Sequence, residues 1–137
     1  MRKSLIDAGP LIALFDNSDQ HHKKVLNFME SFSGRLLTTW PVLTEVCYML
    51  DFNKQTQLDF LDWIIEGGMV IKILNQWQLQ NIRDTFATYS DLPADLADAT
   101  LLELANSENI SSIITLDKDF TIYRDQDGEP LTNLLAD

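Results

Sequence analysis

The stretch Leu5-Ile6-Asp7-Ala8-Gly9-Pro10, close to the start of the chain, is the first indication of the fold. Its apolar beginning predicts a strand over Ser4–Asp7 that ends at a carboxylate. Pro10 is tolerated in the first turn of a helix and therefore predicts a helix over Leu11–Phe15. A strand that leads directly into a helix is the beginning of an α/β pattern.

The same alternation continues along the chain. Strands are predicted at Ser4–Asp7, Arg35–Thr39, Met69–Leu74 and Ser111–Leu116, with a short fifth strand at Thr121–Tyr123; helices are predicted at Leu11–Phe15, Gln20–Phe32, Pro41–Leu50, Gln55–Ile65, Gln76–Tyr89 and, after Pro93, at Ala94–Ser107. Alternating strands and helices predict a parallel sheet with helices on both faces. In open sheets of this kind, ligand sites form at the carboxyl ends of the strands.

Composition limits the class of protein. A length of 137 residues with 45% apolar content predicts one globular domain, residues 1–137. No apolar stretch reaches about 18 residues, so we expect no membrane span. The apolar run at the start is cut short by Asp7, so we expect no signal peptide and a cytoplasmic location. The single cysteine, Cys47, excludes an internal disulfide and a zinc site built from several cysteines. The net charge of −11 argues against nonspecific binding of nucleic acid through a basic surface.

Four acidic residues lie inside apolar sequence. They are Asp7, Glu45, Asp98 and Asp117. Asp7 and Asp117 fall at the ends of predicted strands, and Glu45 and Asp98 lie about one turn into predicted helices. An unpaired buried charge is costly, so a shared divalent-cation site explains all four. Mg²⁺ and Mn²⁺ prefer oxygen ligands, and such a site suits phosphodiester chemistry.

These motifs resemble those of the PIN-domain family. Four segments of this chain resemble the first, second, third and fourth motifs of the family, in that order: Ile6–Leu14, Val42–Val46, Asp95–Thr100 and Ile114–Phe120. Together they span nearly the whole chain. The short chain is most similar to toxins of the VapC type. The resemblance implies a Rossmann-like three-layer α/β/α fold with a central parallel sheet and Mg²⁺- or Mn²⁺-dependent RNA cleavage. It also implies a cognate antitoxin and a homodimer.

The resemblance also implies roles for individual residues. Asp7, Glu45 and Asp98 are the expected core ligands and Asp117 the expected fourth acid, with Asp119 as the alternative to Asp117. We expect Asp7, Asp98 and Asp117 to hold the metal, while Glu45 completes the ligand shell or orients the attacking water. Asp95 is a further candidate for metal binding. Thr115 and Arg124 are candidate auxiliary groups beside the acids. Arg124 has two open interpretations, a phosphate contact and a salt bridge.

Two other functions fit parts of the pattern. A phosphoacceptor receiver domain is also a small acidic α/β domain that binds Mg²⁺, and Lys118 favours it. However, the third predicted strand ends in Asn75 rather than in an aspartate, and Glu45 would have no role. The other alternative is a catalytically silent PIN module that acts only as a binding partner.

Overall fold

The computed structural model describes residues 2–91 and 95–136. Within these ranges the strands are β1 (Lys3–Ile6), β2 (Arg35–Thr38), β3 (Val70–Ile71), β4 (Ser112–Ile114) and β5 (Thr132–Asn133). The helices are α1 (Ala8–Phe15), α2 (His22–Ser31), α3 (Trp40–Met49), α4 (Lys54–Ile65), α5 (Leu79–Thr88) and α6 (Leu96–Glu108). Short 3₁₀ turns at Gln76–Gln78 and Lys118–Thr121 precede α5 and follow β4. None of the described helices is long and apolar enough to cross a membrane.

All five strands run parallel in one sheet. Their order is β3-β2-β1-β4-β5, so β1 lies at the centre, between β2 and β4. Leu5 pairs with Leu37 on one side and with Ile113 on the other. Leu5 and Ile6 are fully buried, as expected for a central strand covered on both faces. The predicted α/β fold with a central parallel sheet is confirmed.

Helix contacts bring distant parts of the sequence together above the sheet. Helix α1 packs against α2 and α3, and α6 packs against α3 and α5. The hydroxyl groups of Thr39 and Thr100 are 2.8 Å apart in the core and hydrogen-bond the start of α3 to α6. Nine consecutive residues of α6, Ala97–Ala105, are buried, which makes α6 a central helix. Asp98, in the third acidic motif, therefore lies in the interior rather than on a solvated helix face.

The predicted fifth strand is wrong. Thr121 ends a 3₁₀ turn, and Tyr123 follows this turn with a buried side chain. Local bonding explains the error, because the Asp117 carboxylate caps the turn by accepting from the Asp119 amide at 2.9 Å. The observed β5 is only two residues long, Thr132–Asn133, and has no apolar alternation that would predict it.

Other element boundaries differ by a few residues. Helix α1 begins at Ala8, three residues before its predicted start, because the Asp7 side chain caps it. Strand β3 is reduced to Val70–Ile71. Helix α6 is described from Leu96, and the predicted start at Ala94, with the preceding Pro93, lies outside the described residues.

Candidate active site

The candidate site lies where the chain changes direction across the sheet. From β1 the chain adds β2 and β3 on one side, and β4 and β5 then add on the other side. In parallel sheets, the crevice at such a switch point is the usual place for a ligand. Asp7 directly follows β1, and Asp117 comes three residues after β4. Both acids therefore extend from neighbouring strand ends into the same crevice.

Asp7 is held in place by two hydrogen bonds. Its Oδ1 accepts from the Ala8 amide at 2.8 Å, and its Oδ2 accepts from the Thr115 hydroxyl at 2.9 Å. The residue is only 6% exposed. Burial raises the pKa of Asp7 to about 6, although both hydrogen bonds oppose this rise. The negative charge is therefore unfavourable here unless a cation compensates it.

Asp98 reaches the same crevice from the first turn of α6. Its amide donates to Asp95 Oδ1 at 2.9 Å, and its Oδ2 accepts from the Tyr123 hydroxyl at 3.1 Å. Burial, followed by the charges of Asp7, Asp95 and Asp117, raises the pKa of Asp98 to about 8. A carboxylate in this position attracts either a proton or a metal ion.

Asp7, Asp98 and Asp117 form a compact group, which we call the three-acid cluster. One carboxylate oxygen from each residue lies within 4.8 Å of the oxygens of the other two. Oxygens on opposite sides of an octahedral Mg²⁺ ion are about 4.2 Å apart, and adjacent ones about 3 Å. Small side-chain movements would bring this oxygen-only donor set to the geometry that Mg²⁺ or Mn²⁺ requires.

Glu45 and Asp95 form the rim of the three-acid cluster. Glu45 lies on α3, is half-buried and shares a hydrogen bond with the Asp95 carboxyl group. Burial raises the pKa of Glu45 to about 7, and the charges of Asp95, Asp7 and Asp117 add to this effect. Asp95 is exposed and caps α6. The negative charge of the cluster therefore contributes to the raised pKa of Glu45, but the three converging oxygens include none from Glu45.

Comparison with known proteins identifies the family. The family model of the PIN domain matches residues 4–125. The chain belongs to the PIN-domain family. This membership confirms the resemblance of the four acidic motifs and disfavours a receiver domain.

Two solved structures share this PIN fold. Mycobacterium tuberculosis VapC20, described as a sarcin-ricin loop cleaving toxin, superposes with a TM-score of 0.76 at 16% identity, over 86% of this chain and 92% of that chain. A chain of a toxin-antitoxin complex from Klebsiella pneumoniae gives 0.59 at 22% identity, over 85% and 89% of the two chains. At these identities the likeness establishes a common fold. No curated protein matches this chain significantly in sequence.

Thr115 connects two acids of the PIN domain. Its hydroxyl donates to Asp7 and accepts from the Asp117 amide at 2.9 Å. Thr115 is itself fixed by Asn133, whose side chain accepts from the Thr115 amide at 3.3 Å and donates to its carbonyl at 3.1 Å. The expectation that Thr115 stands beside the fourth acid matches this geometry. Asn133 was missed because no local pattern marks β5.

Asp119 lies outside the three-acid cluster, and Arg124 contacts backbone carbonyls. The Asp119 amide donates to Asp117, and its carboxylate is not among the three converging oxygens. Arg124 Nη1 donates to the carbonyls of Thr121, Ile122 and Tyr123 at 2.8–3.1 Å. Among the described residues, Arg124 forms no ion pair. Its guanidinium group therefore stabilises the end of the 3₁₀ turn.

Tyr123 is a site residue that the sequence did not reveal. Its ring is 2% exposed and packs edge-to-face against Phe120 and Tyr89, with ring centroids 5.0 Å and 4.9 Å away. Burial and the adjacent Asp98 carboxylate raise the pKa of the Tyr123 hydroxyl, so it remains a donor throughout the neutral range. Tyr123 therefore orients Asp98 from the core side.

Proposed function

We propose that this PIN domain is a divalent-metal-dependent endoribonuclease and the toxin of a toxin-antitoxin pair. The observation that carries the proposal is the convergence of the Asp7, Asp98 and Asp117 carboxylates at the β1–β4 switch point. Membership of the PIN family and the similar fold of a toxin that cleaves the sarcin-ricin loop support RNA as the substrate. The toxin-antitoxin complex with the same fold supports a protein antitoxin as partner.

In this proposal the three-acid cluster holds Mg²⁺ or Mn²⁺. The donor set fits, because all three groups are carboxylates and their oxygens lie within 4.8 Å of one another. When bound, such an ion activates a water molecule and offsets negative charge on the phosphate. Asp117 is preferred to Asp119 as the fourth acid of the motifs, because only the Asp117 carboxylate faces Asp7 and Asp98.

The surrounding residues position the acids and accept protons. Thr115 fixes Asp7 with its oxygens towards the crevice, and Tyr123 fixes Asp98. Glu45 has a pKa of about 7, which suits a general base at neutral pH. We assign Glu45 the task of orienting the attacking water and taking its proton.

An exposed apolar surface supports a protein partner. Tyr48 and Met49 at the end of α3, and Phe52 just beyond it, are 72%, 50% and 60% exposed. Exposed apolar patches of this kind are typical of protein interfaces. We propose this surface for the homodimer. Light scattering of the wild type and a Tyr48→Glu, Phe52→Glu double variant tests this assignment, and a monomeric wild type contradicts it.

The nuclease proposal is tested by cleavage of a panel of structured RNAs, including a tRNA mixture and a ribosomal stem-loop. The purified protein is assayed with Mg²⁺, with Mn²⁺ and with EDTA, beside Asp98→Asn and the exposed control Asp127→Asn. We expect metal-dependent cleavage by the wild type and the control, and only the EDTA level with Asp98→Asn.

Two outcomes contradict the nuclease proposal. Equal cleavage by Asp98→Asn and the wild type would show that the activity comes from elsewhere. Absence of cleavage together with absence of Mn²⁺ binding in calorimetry would favour a silent PIN binding module.

A further inference from the structure

A cavity of about 310 Å³ adjoins the three-acid cluster on the side of β4. It shares Thr115 and Asp117 with the site. Its rim carries His21, Lys24 and Lys118, three side chains that can donate hydrogen bonds to an anion. Its apolar lining comes from Leu116, Phe120, Leu131, Leu135 and Ala136. We call this space the cationic cavity.

These cations lie beside the acidic site of a protein whose overall charge is strongly negative. The protein carries 21 acidic residues against 10 lysines and arginines. Such a surface repels RNA at long range, so binding requires local cationic contacts. Lys118 directly follows the cluster acid Asp117, and Lys24 comes from α2 to the same cavity. Two elements that are far apart in sequence thus bring positive charge to one edge of the acidic site.

The chemistry of the two neighbouring regions is complementary. The three-acid cluster binds a phosphate only through a cation, whereas the cationic cavity can contact a phosphate directly. An RNA strand that places one phosphodiester at the cluster must place its next phosphates to either side.

We propose that the cationic cavity binds a non-reacting phosphate of the RNA strand, next to the phosphodiester at the three-acid cluster, through Lys118 and Lys24 with His21 as a further donor. This inference rests on the proposed ribonuclease function. These residues are positioning residues for the substrate, and their contribution is to the affinity for RNA and to its register on the site.

The experiment compares Lys118→Gln and Lys24→Gln with Lys23→Gln. Lys23 is the matched control, because it is exposed, adjacent to Lys24 on α2 and outside the cavity. All three variants lose the same charge from exposed positions, so the fold is not expected to change. For each protein, kcat and KM are measured on the RNA of the panel that the wild type cleaves fastest, over a series of salt concentrations. The Mn²⁺-induced shift in Tm shows whether the metal site is intact.

We expect each cavity variant to raise KM by about 3- to 10-fold with kcat nearly unchanged, and Lys23→Gln to have no such effect. The slope of log(kcat/KM) against log[salt] should become shallower by about 0.7 for each lost contact with a single strand. Lys118→Arg should restore both values, and the Mn²⁺ shift should be unchanged in all variants.

Results that overturn this inference differ from those that overturn the nuclease function. If the wild type cleaves RNA but the cavity variants match Lys23→Gln in KM and salt slope, the cavity does not bind phosphate. A fall in kcat with unchanged KM would also contradict substrate binding by these lysines. If the wild type neither cleaves any RNA of the panel nor binds Mn²⁺, the proposed function fails and this inference fails with it.

Discussion

Replacing Asp7 with asparagine should stabilise the metal-free protein at neutral and alkaline pH. Asparagine resembles the protonated carboxyl group in shape and charge, and its amide oxygen can still accept from the Ala8 amide. Its amide nitrogen can donate to the Thr115 hydroxyl oxygen, which has a second lone pair available. The substitution therefore removes a buried charge, but the Thr115 hydroxyl proton loses its acceptor, Asp7 Oδ2, which offsets about 1 kcal/mol of the gain.

The magnitude follows from the raised pKa. Each pKa unit corresponds to about 1.4 kcal/mol, so a rise from 3.8 to about 6 destabilises the folded protein by about 3 kcal/mol at pH 8. The sign is fixed by linkage: the folded state holds the proton more tightly, so wild-type stability falls as pH rises from about 4 to 6 and then levels off. At about pH 5, between the two pKa values, about half of the contribution from ionisation should remain.

Urea unfolding in EDTA at pH 5 and pH 8 measures this effect. Asp127→Asn is the matched control, because it removes the same charge from an exposed position and should change the free energy of unfolding by less than about 0.5 kcal/mol. The reasoning is refuted if Asp7→Asn is no more stable than this control at pH 8. A gain of equal size at both pH values would also refute it, because the effect would then not come from ionisation.

Three further predictions concern the metal, a positioning residue and packing. Mn²⁺ should raise Tm more at pH 8 than at pH 6, because protons compete for carboxylates whose pKa values are about 6 to 8; equal shifts in scanning calorimetry would contradict this. Tyr123→Phe removes a hydrogen bond that lowers the pKa of Asp98, so the acidic limb of the cleavage pH profile should move to higher pH, whereas an unchanged profile would exclude a positioning role. Gly68→Ala should lower the free energy of unfolding by about 1–3 kcal/mol, since the added Cβ would lie 2.2 Å from the Trp63 ring; unchanged urea unfolding would mean that the ring moves aside.

The sequence predicted those features that depend on strand ends and helix position. Asp7 follows an apolar strand, and parallel strands align their carboxyl ends, so its proximity to Asp117 could be expected from periodicity alone. Asp98 could be assigned to the same site because its neighbours in α6 are apolar. Apolar neighbours predict a buried helix, which places the Asp98 side chain in the interior.

The features that escaped prediction depend on contacts between distant segments. Tyrosine is common in strands, so the sequence favoured a strand at Tyr123. The cap made by Asp117 and the packing against Phe120 instead turn the Tyr123 side chain towards Asp98. Asn133 lies 18 positions after Thr115 and acts through a two-residue strand that has no signature of its own. The raised pKa of Glu45 likewise depends on the docking of α3 on α6: burial is its largest cause, and the charge of the adjacent Asp95 is the next.

The central claim is that Asp7, Asp98 and Asp117 form one divalent-metal site. Crystals soaked in Mn²⁺ and measured at the manganese absorption edge test it most directly, because the anomalous difference map locates the ion without reference to activity. We expect a manganese peak between the three carboxylates, at about 2.1–2.2 Å from their oxygens. A fully occupied peak elsewhere, or an empty crevice at a Mn²⁺ concentration that supports cleavage, would contradict it.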